Sequence, residues 1–146
     1  MTLIPRERKL RMSIGREVRL KNIFSNPSGN LFGVAIDHFV GYGNAVHGGL
    51  ANLPKALELT MEGRPDSVTI QPGTAKNLWV SYAGKASLIV QGGCFTVDDR
   101  ISELITRPID AIRLGADALA VAIPVRGQSE GKYLSWLTDS VREAAE

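Results

Sequence analysis

The stretch from Leu31 to His38, Leu-Phe-Gly-Val-Ala-Ile-Asp-His, constrains this chain most. Side chains alternate across a strand, so its even positions (Phe32, Val34, Ile36, His38) put mostly bulky hydrocarbon on one face. The odd positions (Leu31, Gly33, Ala35, Asp37) give the other face small residues that end in a carboxylate. The bulky face suits packing against helices; the small face suits a crowded barrel interior or the centre of a sheet. Asp37 then arrives at the carboxyl end of the strand, where parallel α/β folds build their sites. The loop that follows, Phe39 to Asn52, carries Gly41, Gly43, Gly48 and Gly49. It is long for a strand-to-helix connection, and such loops are often functional.

The same unit recurs along the chain. Before the strand, Gly15 to Phe24 predicts a helix with Leu20, Ile23 and Phe24 on one side, ended by the turn at Asn26-Pro27-Ser28-Gly29-Asn30. After the glycine loop, Pro54 opens a helix whose buried stripe is Leu53, Ala56, Leu57, Thr60 and Met61, stopped by Gly63 and Pro65. Asp66 to Gln71 is a second strand, and Pro72-Gly73 turns into a short helix running through Trp79 and Tyr82 to Gly84. Ala86 to Gln91 is a third strand. Thr96 to Leu114 is expected to hold one or two helical pieces with a break at Arg107-Pro108. Gly115 to Ile123 supplies a fourth strand, alternating Leu119, Val121 and Ile123 with Ala118, Ala120 and Ala122. A last helix starts near Ser129, with Tyr133, Leu134, Leu137 and Val141 on its inner face.

Alternating strands and helices argue for a parallel sheet with right-handed crossovers. One parity of each strand is bulky and the other small or polar, as in barrel strands wrapped by helices. The fold class expected is therefore α/β: four parallel βα units, half of a (β/α)8 TIM barrel, preceded by an N-terminal helix. Residues 1–30 form a basic arm and helix, and residues 31–146 the half-barrel.

Composition narrows the function classes. A chain of 146 residues with 44% hydrophobic content can bury a core. A net charge of +2 creates no strong field for nucleic acid or an anionic membrane. Seven of the 17 basic residues lie between Met1 and Lys21, beside two of the 15 acidic ones. The arm (Arg6, Arg8, Lys9, Arg11) reads as a solvated lead-in to an amphipathic helix rather than a phosphate grip. No apolar region follows these charges, as a secretory signal would need, and no segment approaches the roughly 20 apolar residues of a spanning helix. The lone Cys94 forms no internal disulfide, and a reducing cytoplasm fits.

At Val34-Ala35-Ile36-Asp37-His38 the chain resembles the archaeal-type class I fructose-bisphosphate aldolase family, which includes the aminodeoxyheptulosonate synthases and the autoinducer-2 thiolase. That family opens with a basic amphipathic helix, here Arg16 to Phe24, and a first strand ending in an Asp-His-Gly signature, here Asp37-His38-Phe39. Further likenesses are Val68-Thr69-Ile70-Gln71-Pro72-Gly73 and Arg113-Leu114-Gly115-Ala116-Asp117-Ala118. The resemblance spans nearly the whole chain and matches the first half of a family member. It implies Schiff-base aldol chemistry on a sugar-phosphate ketose: a lysine amine condenses with the ketone and the iminium acts as an electron sink. It also implies that the lysine lies on the sixth strand and the phosphate loops after the seventh and eighth, so this chain alone is expected to be inactive. No cofactor is expected. A half-barrel leaves edges that a second copy (a homo-oligomer) or a complementing C-terminal half would cover.

The candidate catalytic residues are Asp37, matching the family's proton-handling carboxylate, and His38, whose opposite parity makes it either a support for Asp37 or a core histidine. Candidate substrate contacts are His47 in the glycine loop, Gln71 and Gln91 at strand ends, and Arg126 beyond the fourth strand. Two histidines without HxH or HxxH spacing make a poor metal site. Gly41-x-Gly43 lacks the tight passage into a helix that a dinucleotide fingerprint needs. The alternative to an aldolase is a non-catalytic half-barrel that binds sugar phosphate or serves as a scaffold.

Overall fold

The computed structural model describes residues 13–38, 46, 48–96 and 98–145. Its strands in chain order are β1 (Gly33–Ala35), β2 (Ser67–Ile70), β3 (Ser87–Gln91), β4 (Gly93–Phe95), β5 (Ser102–Leu104) and β6 (Ala118–Ala120). Its helices are α1 (Ile14–Ile23), α2 (Leu53–Glu62), α3 (Pro72–Leu78), α4 (Pro108–Arg113) and α5 (Glu130–Glu143), with 3-10 turns at Gly48–Ala51 and Trp79–Tyr82. The main sheet runs β1-β2-β3-β6 with every neighbour parallel.

Local chemistry starts the helices where the sequence places them. Ser13 Oγ accepts the amide of Arg16 at the start of α1, and Asn52 Oδ1 accepts that of Lys55 at the start of α2. Proline stands in the first turn of α2, α3 and α4, where its missing N–H costs nothing. Ala56 and Leu57 are buried and Leu53, Thr60 and Met61 half-buried, so the expected stripe of α2 faces the core.

Strand parity then divides the sheet. Val34, Ile36, Val68, Ile70, Leu88, Val90 and Leu119 face Leu57, Ala75, Trp79 and Ala111 in the core between sheet and helices. Full burial of each large aliphatic side chain stabilises the fold by about 1.5–3 kcal/mol before chain entropy is counted. The other face is layered by the register. Gly33, Ser67 and Ser87 form one layer, and Ala35, Thr69, Ile89 and Ala118 the next. A Cβ on Gly33 would lie 3.0 Å from Ser67 Oγ, so only a minimal residue fits comfortably beside that serine. At the amino end of the sheet, Asp117 braces α1 to the strands: Oδ1 accepts Asn22 Nδ2 at 2.8 Å and Oδ2 accepts the amide of Leu88 at 3.3 Å.

Three expectations are corrected. Thr96 and residues 98–105 are not helical: β4 and β5 form an antiparallel hairpin pairing Gly93 with Leu104 and Phe95 with Ser102. The side chain of Thr96 donates to Asp98 and accepts from the amide of Ile101, and Asp99 adopts φ +58°, so local polar groups close a turn where a helix would need its own ladder. The helical part of this region is confined to α4, after the break at Arg107-Pro108. In α5, Tyr133 and Ser140 are buried, while Leu134 is 47% and Val141 61% exposed. The inward stripe is Tyr133, Trp136, Leu137 and Ser140, turned from the expected one because Tyr133 and Trp136 pack edge-to-face, 4.8 Å between centroids, with Phe95 of the hairpin edge-on to Tyr133 at 6.0 Å. Phe24, expected on the buried side of α1, is half-exposed at its C-cap, leaving Ile23 as the buried anchor.

Candidate active site

Two residues beyond the Ala35 layer, the register carries Asp37, Gln71 and Gln91 to the carboxyl end of the sheet. The Ile36 amide bonds the Thr69 carbonyl at 2.9 Å, so parallel pairing continues past β1 and delivers Asp37 beside Gln71. Gln71 Nε2 donates to the backbone carbonyl of Asp37 at 2.9 Å, which fixes the main chain where the strand ends. Gln91 Nε2 donates to Asp37 Oδ2 at 2.8 Å, while Gln91 Oε1 accepts the amide of Gly93 at 3.2 Å. The Asp37 side chain is 16% exposed, and its Oδ1 lies 3.8 Å from His38 Nδ1. Gln71 Oε1 is buried and accepts no hydrogen bond, which leaves an acceptor in the same layer as the carboxylate. A carboxylate with one oxygen held by an amide, at the open end of a parallel sheet, can orient a hydroxyl and exchange a proton with it.

The structure thus gathers Asp37, His38, Gln71 and Gln91. Arg126 is not part of that cluster: it sits exposed on the loop after β6 at φ +63°, with its amide donated to Glu130 Oε2, and bonds none of the four. His47, Phe39, the Gly41-Tyr42-Gly43 segment and the basic arm lie outside the described residues. His38 is a half-exposed neighbour of Asp37 rather than a core histidine.

Three of the five described lysines are engaged elsewhere. Lys132, in the first turn of α5, donates to the Ser102 carbonyl and lies 4.7 Å over the Trp136 ring. Lys85 bonds the Ser81 carbonyl just before β3, at the opposite end of the sheet, and Lys55 pairs with Glu58 on α2. A cleft of about 400 Å³ opens between α1, α4 and α5, lined by Leu20, Ile112, Leu137 and Val141 with Arg16 and Arg19 among its wall residues. It also touches Ala116 and Asp117 at the amino end of β6, away from Asp37.

The hairpin is the part of the site that sequence reading missed. Gly93, which fixes Gln91, belongs to β4, and Tyr133 Oη donates to the Cys94 carbonyl at 3.3 Å. Asp99 at the turn accepts from Ser129, 2.8 Å from its amide and 2.6 Å from its hydroxyl, and this holds the Asp99 carboxyl below its usual range. Ile101-Ser102-Glu103-Leu104-Ile105 does not alternate apolar with polar residues, so the local pattern carries no strand signal there.

No protein-family model matches the chain. Three solved structures share its fold at 23% identity. One is a Schiff-base-forming fructose-1,6-bisphosphate aldolase studied through its reaction intermediates, with a TM-score of 0.69. One is an archaeal fructose-1,6-bisphosphate aldolase whose catalytic lysine is covalently bound to the carbinolamine intermediate, at 0.68, and one an archaeal fructose-1,6-bisphosphate aldolase at 0.67. Each match covers 88% of this chain and 52% of the other, so the chain spans about half the length of the structures it resembles. The architecture is that of a half-barrel: four parallel βα units behind an N-terminal helix. Among the described residues, no helix is long and apolar enough to cross a membrane.

Proposed function

We propose that this chain contributes the first four staves of a Schiff-base aldolase that cleaves or forms a carbon–carbon bond in a sugar-phosphate ketose, with Asp37 handling the proton. The observation that carries this reading is Asp37 itself, held by Gln91 at the carboxyl end of a half-barrel whose fold is shared with aldolases. In cleavage, a lysine amine, the substrate ketone and a proton give an iminium and water. The hydroxyl proton passes to the carboxylate as the carbon–carbon bond breaks, and its electron pair moves onto the iminium to give an enamine. Asp37 supplies the carboxylate, with His38 beside it. Gln71, through its unused Oε1, supplies a contact to a substrate hydroxyl.

The amine belongs on a further stave, because no described lysine hydrogen-bonds or ion-pairs with Asp37. This 146-residue chain by itself therefore binds a ketose phosphate without trapping it, and either a complementing half or a second copy covers the outer edges of β1 and β6. A cytoplasmic setting accompanies this reading. The same placement of lysines favours, as the second reading, a half-barrel that binds sugar phosphate without catalysis.

Borohydride reduction of the full chain with fructose 1,6-bisphosphate, read by mass spectrometry beside a binding titration, tests the reading. Binding that Asp37→Ala removes, with no reduced adduct, is the expected result. An adduct on this chain alone overturns the placement of the lysine, and a wild type that binds no ketose phosphate overturns the function. Addition of a second-half chain separates the two readings: an adduct that then forms on the added half supports the aldolase, and persistent binding without an adduct supports the scaffold.

A further inference from the structure

We infer that Gln91 is a positioning residue for Asp37 and makes no contact with substrate. Its amide has only one workable orientation. The Gly93 amide can only donate, so the Gln91 atom facing it must be the carbonyl oxygen, and Nε2 is left to face the carboxylate. An amide N–H on a carboxylate is a charge-assisted bond, shorter and stronger than a neutral one. With Oδ2 held, the oxygen left for proton transfer is Oδ1, 3.8 Å from His38 Nδ1.

Gln91 is 7% exposed, and each end of its amide already has a protein partner. Nε2 keeps a second N–H and Oε1 a second lone pair, but at this burial the amide offers almost no surface for a substrate hydroxyl to reach. The anchor is equally fixed. Gly93 pairs with Leu104 across the hairpin, and a Cβ on it would meet the ring of Tyr133 at 2.9 Å. The direction of the Asp37 carboxylate is thus set from the hairpin and α5 through Gln91, as well as from its own strand. The role assigned to Gln91 rests on the reading of Asp37 given above; the contact itself does not.

Hydrogen exchange of the Gln91 side-chain amide, measured by NMR on the isotopically labelled full chain, tests the contact. Exchange is expected to be slow in the wild type and in Asp37→Asn, whose side-chain oxygen can still accept, and at least roughly tenfold faster in Asp37→Ala. Gln91→Met is expected to move the carboxyl-carbon resonance of Asp37 while the backbone spectrum of β2 and α2 stays in place. Equal exchange in wild type and Asp37→Ala, or an unmoved Asp37 resonance in Gln91→Met, overturns the inference. For the role, Gln91→Met should weaken fructose 1,6-bisphosphate binding by less than Asp37→Ala does, because the carboxylate stays and only its direction is lost. A loss as large as that of Asp37→Ala would make Gln91 a ligand instead, and an unchanged affinity would remove its positioning role. A wild type that binds no ketose phosphate refutes the functional reading, whereas the exchange measurement still decides whether Gln91 holds Asp37.

Discussion

The ring of Tyr133 occupies the space that any side chain on Gly93 would need: a Cβ there would lie 2.9 Å from Tyr133 Cε1 and 3.2 Å from its hydroxyl oxygen. Tyr133 is fully buried and packed edge-to-face with both Phe95 and Trp136, so it cannot swing aside. Gly93→Ala is therefore expected to cost about 1–3 kcal/mol, the usual range for overpacking. Urea unfolding checks this. A double variant with Tyr133→Leu should recover part of the loss, because the two changes share one space and do not add.

Leu57 is the central knob of α2, fully buried among Ile36, Val68, Ile70 and Leu88. Leu57→Ala should destabilise the chain by about 2–5 kcal/mol, the range for aliphatic truncation in a close-packed core. Exposed Leu59, two residues along the same helix, provides the control, and Leu59→Ala should cost far less.

Asp99 fastens the hairpin to the start of α5. Its carboxyl is held below the ordinary value first by the Ser129 hydroxyl and then by the Ser129 amide. A carboxyl with a depressed folded value contributes stability that is complete above the unfolded value, near about 4, and is lost as pH falls through the folded one. The melting temperatures of wild type and Asp99→Asn should therefore differ at neutral pH and converge in acid below about pH 4. Asparagine tolerates the positive φ at this position, so the comparison isolates the charge. A difference that persists unchanged into acid would contradict it.

Burial, with a smaller contribution from Glu103, pushes the Cys94 thiol above its usual value. At neutral pH it carries less thiolate than a free cysteine, and the thiolate is the form that reacts. Iodoacetamide should modify Cys94 more slowly than a cysteine peptide, and Glu103→Gln should give only a small acceleration because desolvation is the larger cause. Rates equal to the peptide's would count against the buried placement.

An open half-barrel presents the outer edges of β1 and β6, and a layer with Gly33 and Ala35 exposed on its inner face. Unpaired edges and uncovered apolar surface favour association. Sedimentation at micromolar concentration should show a species larger than a monomer, or one formed on addition of a complementing half. A monomer under both conditions would count against closure of the barrel.

Much of this architecture was legible in the sequence because it is written in short-range terms. The alternation of Gly33, Ala35 and Asp37 with Val34 and Ile36 marks a strand with one crowded face. Asn52, Pro54 and Gly63 bound α2 by capping chemistry that needs no distant partner. The resemblance at Asp37-His38 pointed to a fold that the solved aldolase structures share. The tertiary structure alone decided the pairing of residues 93–95 with 102–104, since two three-residue strands are strands only once they pair. It also decided which face of α5 turns inward, because Leu134 and Val141 are as apolar as the positions that are buried and only the Tyr133 pocket distinguishes them. The convergence of Gln91 on Asp37 lies between these cases. Strand parity places both side chains on one face, but register sets them within reach, and the Gly93 amide decides which end of the glutamine meets the carboxylate. Local pattern records what each segment can bury; the distances between segments come from packing, which no segment encodes by itself.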